Sequence, residues 1–341
     1  MFGSKPAVKK TDTAIGIDIG SFAVKAVQLV QKKDEFQLES FGYSKINNEK
    51  LSGIPDAIRT AYADAKLSGK RVNVAVGADG VVVRYIVLPE MSGDDLAKAM
   101  EFEIERYVPF EKQDIVSDYL VLKGKADSKT IKVLLVAAKK EQVDRRVKLL
   151  KEVGLEVEVM TIDSIVLKSV FQSNYLEKND KTVGLLNIGS KVSNINIIKS
   201  GVSYFMRDVQ LGGDNITQLL KEKLDVDIHE AEKLKCRLTL EDRDKFKIIE
   251  PILGNLLNEV YLSFDYYESE FGMVVDEIFI SGGGAQLAWL PIFLKENLNR
   301  EITTLNSVNK LTLNPSIVKQ DLNILSSSMA VSIGLALESF V

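Results

Sequence analysis

A chain of 341 residues, 45% apolar and 27% charged, is long enough for two or more cores and is neither disordered nor fibrous in composition. Its net charge of −4 includes no dense basic stripe, which argues against nucleic acid; Arg145, Arg146, Lys148 and Lys151 read as the solvated face of a helix. A single cysteine, Cys236, excludes an intrachain disulfide framework and fits a reducing compartment, and a single histidine, His229, leaves a Ser-His-Asp triad or a His-rich metal site little to work with.

In chain order, residues 1–14 are polar and basic without the apolar stretch of a signal peptide, and Phe2 excludes myristoylation. Strands are predicted over 15–19, 22–30 and 36–44, the last two joined by the turn Lys32-Lys33-Asp34. A helix over 51–67 puts Ile54, Ile58 and Tyr62 on one face. Two strands between 71 and 88 break at residues 77–80, and the cluster at Ser92 caps a helix that runs to Tyr107 and is stopped by Pro109. Strands over 115–122 and 131–137 flank a turn at 124–128, and a helix over 140–153 ends at Gly154.

Residues 71–157 therefore read as a small α+β module inserted into a first lobe made of 12–70, 158–180 and 326–341. A polar linker at 177–181 marks the start of a second lobe, 181–213 with 273–325, which carries a helical subdomain at 214–272. Its predicted elements are a hairpin over 183–199, a strand over 204–209, helices over 215–224, 229–238 and 244–271, a strand over 278–280 and a helix over 290–298. An apolar helix of small residues, 326–340, closes the chain. No run approaches the roughly 18 apolar residues that span a bilayer, so a cytosolic protein is expected, reaching a membrane only through a partner.

Two stretches half the chain apart read alike: 15–21, with Asp18, Gly20 and Ser21, and 184–190, with Asn187, Gly189 and Ser190. Each is an apolar strand, a side chain able to hold a cation or water, a glycine, a hydroxyl, and a returning strand. Such a turn, stripped of bulk, can face its backbone N–H groups to a phosphate. Asp18 suits a hydrated Mg²⁺ held through water, and Lys25 can reach back as a point charge. Two copies in matching contexts predict two related lobes gripping one phosphate chain.

Gly212-Gly213 precede a helix, where a phosphate fits, although a plain turn into the helix explains them equally well. Glycines 282–284 after a strand suggest the close approach of a flat group such as adenine. Glu232 and Lys235 share a helix face and could hold ribose and base, or form an exposed ion pair.

The order of these pieces resembles the actin-like ATPase superfamily over essentially the whole chain, with Asp18-x-Gly20-Ser21-x-x-x-Lys25 matching its first phosphate loop. Within it, the segment 103–110 and the inserted module are similar to the PilM family of type IV pilus assembly proteins, the module being placed as in the cell-division protein FtsA. The resemblance implies an α/β fold of two actin-like lobes, with ATP or ADP and Mg²⁺ in the cleft between them. It also implies a cytoplasmic scaffold, a homo-oligomer or ring, that binds the N-terminal peptide of a PilN-like membrane protein in a groove beside the module. Glu103, Tyr107, Val108, Pro109 and Phe110 are candidates for the groove wall; Tyr107 and Phe110 also fit ordinary core.

One departure matters. The superfamily has Asp where this chain has Asn187, and an amide is no proton acceptor. ATP binding with little or no hydrolysis is therefore expected. Asp163, near the interlobe crossing, is the remaining candidate base and an equally good helix N-cap. The alternatives are an active ATPase of the FtsA kind or a small-molecule kinase of the same fold.

Overall fold

The computed structural model describes residues 12–33, 35–47, 49–122, 129–318, 322 and 326–340. The expected turn at 124–128, the basic segment 1–11 and Asp34 lie outside them. In the first half, β1 (Thr13–Ile19), β2 (Ala23–Lys32) and β3 (Glu35–Lys45) form an antiparallel meander. Beyond β1 the sheet continues in parallel with β4 (Arg71–Ala75) and β8 (Glu156–Thr161). The second half repeats this pattern. β9 (Thr182–Ile188), β10 (Ser193–Lys199) and β11 (Val202–Val209) run antiparallel, and β12 (Glu277–Ser281) and β13 (Glu301–Thr304) add in parallel beyond β9. The orders β3-β2-β1-β4-β8 and β11-β10-β9-β12-β13 correspond strand for strand.

Central strands covered on both faces read as apolar runs, which is why β9 is buried at all seven positions. Its cover comes from α4 (Asp163–Asn174), α9 (Ala330–Leu337) and the helices of the second lobe. All eight residues of α9 are buried. Removing a side chain such as Ile333 or Leu335 from water stabilises the junction by about 1.5–3 kcal/mol each. Small residues let the helix come close: a Cβ on Gly16 would sit 2.1 Å from the Ser332 carbonyl oxygen, and one on Gly334 would sit 2.4 Å from that of Val166. One cluster joins Val27, Leu29 and Leu38 of the first sheet to Val183, Leu185 and Phe279 of the second through α4 and α9.

The other face of the first sheet is covered by α1 (Gly53–Asp64) and by Leu150 of α3 (Lys140–Glu152). In the second lobe, α5 (Gly213–Leu224), α6 (Ile228–Arg237), α7 (Arg243–Phe271) and α8 (Leu290–Leu298) pack around Tyr267 and Trp289.

A third sheet, in the order β5 (Val81–Pro89), β7 (Thr130–Lys139), β6 (Ile115–Leu122), carries α2 (Gly93–Tyr107) on one face. As expected, Ser92 caps α2, its Oγ accepting from the Asp95 N–H. On the other face, Leu134 and Ala138 meet Met206 of β11, Tyr85 Oη donates to the Ser203 carbonyl at 3.1 Å, and the Lys132 ammonium lies 3.8 Å from the Phe271 ring centroid.

The expected module of 71–157 is narrower in the structure. β4 is hydrogen-bonded between β1 and β8, because Val72 and Val74 are buried in the first sheet. β8 lies where no strand is expected, although Glu156-Val157-Glu158-Val159 has the period-two alternation of a half-buried strand. β13 was also missed, and β14 (Thr312–Leu313), placed by the sequence in the second lobe, pairs with β3 of the first. The closing helix begins at Ala330, residues 326–329 being turns.

Candidate functional site: an interlobe cleft

The first glycine turn joins β1 to β2. The antiparallel register sets Lys25 directly opposite Asp18, so both side chains leave the same face. Their ends meet at 2.7 Å in a part-buried ion pair. The Gly20 N–H donates to the Ala23 carbonyl at 3.2 Å, closing the turn. Ser21 is exposed, and its hydroxyl has no hydrogen-bond partner among the described residues.

The second turn joins β9 to β10 with the same geometry and different chemistry. Asn194 stands opposite Asn187, seven residues apart as Asp18 and Lys25 are. The Gly189 N–H donates to the Val192 carbonyl at 3.0 Å. With amide orientations assigned from the network, Asn187 Nδ2 donates to Asn194 Oδ1 at 2.8 Å, and Asn194 Nδ2 donates to Asp208 Oδ1 at 2.7 Å. Ser281 Oγ donates to Asn187 Oδ1 at 3.1 Å, and Ser190 Oγ donates to Asp214. All of these side chains are satisfied within the second lobe.

Gly212 and Gly213 bring α5 onto this turn. A Cβ on Gly212 would lie 2.5 Å from the Ser190 carbonyl oxygen. Their N–H groups, expected to face a phosphate, are taken by protein acceptors: Gly212 by Asn215 Oδ1, Gly213 by the Gly189 carbonyl, and Asp214 by the Ser190 carbonyl. Of the three glycines after β12, two serve packing on β9. Gly282 has φ +85° with a Cβ position 2.5 Å from the Ile188 carbonyl oxygen, and a Cβ on Gly284 would meet the Ile188 side chain. Only Gly283 looks onto open space.

Glu232 and Lys235 form more than an exposed pair. Lys235 is buried and donates to Glu232 Oε2 at 2.7 Å, to Thr217 Oγ1 at 2.9 Å and to the Gly213 carbonyl at 3.3 Å, which ties α6 to the start of α5. Burial pushes the Glu232 carboxyl up, but the hydrogen bonds from Lys235 and Thr217 outweigh it and hold it below its ordinary value. Burial raises the phenol of Tyr43 in β3, and of the nearby charges Lys25 lowers it and Glu232 raises it.

Asp163, at the first turn of α4, lies in the field of two carboxylates from other elements, Asp18 of β1 and Asp208 of β11. Burial first, then the like charges of Asp18 and Asp208, push Asp163 up from 3.8 to about 7. Burial also raises Asp208, offset in part by the Asn194 hydrogen bond. Asp163 does not cap α4, whose N-cap residue is Ile162.

Arg146 of α3 completes the group. Burial lowers its guanidinium from the ordinary arginine value, and Asp18 and Asp163 pull it back up. This corrects the solvated-face reading. Val143, Arg146 and Leu150 share one helical stripe, a spacing that the sequence displayed. Asn194 was also legible, as the counterpart of Lys25. Asp214 was legible too, in the run Gly212-Gly213-Asp214 before α5, whereas Asp208 left no such signal.

Of the partner candidates, Val108 is buried in the core under α2, and Tyr107 packs against that core with Arg106 beside its ring. Glu103 is half-buried and Pro109 exposed. Only Phe110 borders a groove, of about 870 Å³, between the end of α2 and the start of α3. The Lys139 ammonium sits 4.7 Å from the Phe110 ring centroid.

Two sheets of one strand order, each carrying a glycine turn and joined through α4 and α9, with a small third sheet inserted, define an actin-like fold. The chain matches the family described as type IV pilus assembly protein PilM over residues 16–340, and it belongs to that family. A solved PilM–PilN type IV pilus biogenesis complex has the same fold, with a TM-score of 0.87 at 21% identity, covering 97% of this chain and 99% of that one. The ethanolamine utilization protein EutJ from Carboxydothermus hydrogenoformans is more distant, with a TM-score of 0.54 at 12% identity over 96% and 90% of the two chains. Among the described residues, no helix is long and apolar enough to cross a membrane.

Proposed function

We propose that this PilM-family protein is a nucleotide-dependent adaptor of the type IV pilus inner-membrane platform. It binds ATP with Mg²⁺ between its lobes, hydrolyses it little or not at all, and docks the cytoplasmic N-terminal peptide of a PilN-like membrane protein beside the third sheet. The observation that carries this reading is the register match between the two turns, and it is supported by Asp163 lying in the field of Asp18 and Asp208.

The residues present fit the cofactor. Among the described residues no three acidic, His or Cys side chains lie close enough to hold a metal directly. Asp18, Asp163 and Asp208 instead act on one another through space, which suits an ion that keeps its waters. Crowded carboxylates of this kind are relieved by a divalent cation. Ser21 and Lys25 would bind phosphate at a turn that Gly20 keeps free of a side chain, and Gly283 leaves room beside the second lobe for a base. The metal, when bound, would supply charge neutralisation along the phosphates. Glu232 and Lys235 hold α6 against α5 and so shape the cleft wall.

Asn187 supports weak turnover. Its amide is held by Asn194 and Ser281, and it has no basic lone pair to offer a water. Calorimetry with Mg-ATP should give saturable one-to-one binding, with phosphate release near background over hours. Asn187→Asp should raise release by about a hundredfold, the typical worth of a general base. No saturable binding would end the proposal. An unchanged rate in Asn187→Asp would remove the assignment of Asn187.

An active ATPase is the second reading, favoured by Asp163: a carboxyl pushed up to about 7 can take a proton at neutral pH. Phosphate release by the unaltered protein that disappears in Asp163→Asn would establish it.

For the partner, the groove at Phe110 is the supporting feature. Its walls balance Glu111, Asp114 and Glu141 against Lys140, Arg145 and Lys148, which suits a short peptide of mixed character. A fluorescent peptide from the PilN-like protein should bind and lose affinity in Phe110→Ala.

A further inference from the structure

Helix α3 faces two sites at once. Glu141, Asp144, Arg145 and Lys148 line the groove beside the third sheet. One residue along from Arg145, Arg146 is not part of that lining and points instead toward Gly77, just after β4. Its Nη2 lies 3.7 Å from where a Cβ on Gly77 would stand. The side chain is half-buried and sits in the field of Asp18 and Asp163. Yet among the described residues it makes no hydrogen bond and no ion pair within 4.0 Å.

A guanidinium drawn out of bulk water without a direct partner is costly unless an anion comes to it. Its planar fork of donors matches phosphate oxygens, and the carboxylates around it are too far to saturate that fork. Gly77, with no side chain, leaves space in front of it.

The helix is also mechanically placed. β7, the central strand of the third sheet, ends at Lys139, and α3 begins at Lys140 with no intervening linker. Val143 packs in the cluster that joins this sheet to the lobes, and Leu150 is buried in the first-lobe core. A pull on Arg146 is therefore a pull on the wall of the groove and on the strand behind it.

We propose that Arg146 binds the terminal phosphate of the nucleotide and, by fixing α3, makes the groove beside the third sheet sensitive to which nucleotide is bound. This rests on the cleft being a nucleotide site. A charge-assisted contact of this kind separates ATP from ADP by about tenfold or more.

The test compares Mg-ATP and Mg-ADP affinities for the unaltered chain, Arg146→Ala and Arg146→Lys by displacement of a fluorescent nucleotide. Amide hydrogen exchange over residues 140–148 is followed alongside. Arg146→Ala should lose about tenfold or more for ATP and no more than about twofold for ADP, with Arg146→Lys recovering part of the loss. ATP should slow exchange in α3 of the unaltered chain more than ADP does, and Arg146→Ala should abolish that difference. Equal losses for the two nucleotides, or no loss, would overturn the assignment while leaving the cleft a nucleotide site. If the unaltered chain binds neither nucleotide, the underlying reading fails and the inference with it. Should Arg146→Ala not fold, the Lys variant and the exchange difference still decide the matter.

Discussion

The two glycine turns share a backbone and differ in what their side chains are left free to do. In the first, a charged pair, Asp18 with Lys25, faces the cleft beside an exposed serine. In the second, the equivalent positions are Asn187 and Asn194, both buried, and the serine is held by Asp214. One turn is thus left open and charged, while the other is closed by its own hydrogen bonds, which tie β9, β10, β11 and β12 together. The same hairpin can be a receptor or a rivet, depending on whether its polar atoms find protein partners.

Asn194→Leu should break the contrast most severely. It leaves the Asn187 amide and the Asp208 carboxylate unpaired in a buried place, destabilising the protein by about 2–5 kcal/mol in urea unfolding. Its counterpart Lys25→Met should cost about 1 kcal/mol in the same experiment, because the pair is partly solvated, while weakening nucleotide binding. Comparable losses in the two variants would refute the asymmetry.

The carboxylates between the turns give the next effect. Asp163 ionises near 3.8 when unfolded and at about 7 in the fold, so between those values the folded state holds the extra proton. Its contribution to stability is fully present below about pH 4 and is lost as pH rises through about 7, at a slope on the order of 1 kcal/mol per pH unit. Asp163→Asn should flatten unfolding curves collected without Mg²⁺ between pH 5 and 8. A variant whose pH profile parallels that of the parent would show that Asp163 does not titrate there.

Gly282→Ala should come third. The left-handed backbone and the crowding against Ile188 make it worse by about 1–3 kcal/mol, visible as a lower Tm. The smallest effects sharpen the comparison. Ser190→Ala should lose about 1 kcal/mol with its bond to Asp214, whereas Ser21→Ala should stay within about 0.5 kcal/mol. Equal values would mean that Ser190 is no more committed than Ser21.

The lobes and both turns were legible because strand, glycine and hydroxyl recur in one order at two places, and such a pattern survives without knowledge of contacts. Periodicity also located nearly every helix. What escaped was long-range. β14 is a strand only because a neighbour offers hydrogen bonds, and nothing in Thr312–Leu313 announces that β3 is that neighbour, whereas the alternation in β8 was readable and was passed over. In the site, Gly212 and Gly213 looked like phosphate donors because the sequence could not reveal that Asn215 and the 189–190 carbonyls claim their N–H groups. Arg146 was assigned to solvent from its charge alone, against the helical spacing that placed it inward.

The short pairing of Thr312–Leu313 with β3 has a mechanical consequence. A segment that leaves β13 of the second lobe is stitched to the outer edge of the first, on the way to a helix wedged between both. Any swing that separates the mouth of the molecule must either stretch this rear tether or turn about it. Were the lobes to swing, the end of the first sheet that carries Thr312–Leu313 would travel least, and the end that carries the turn at Gly20 would travel most.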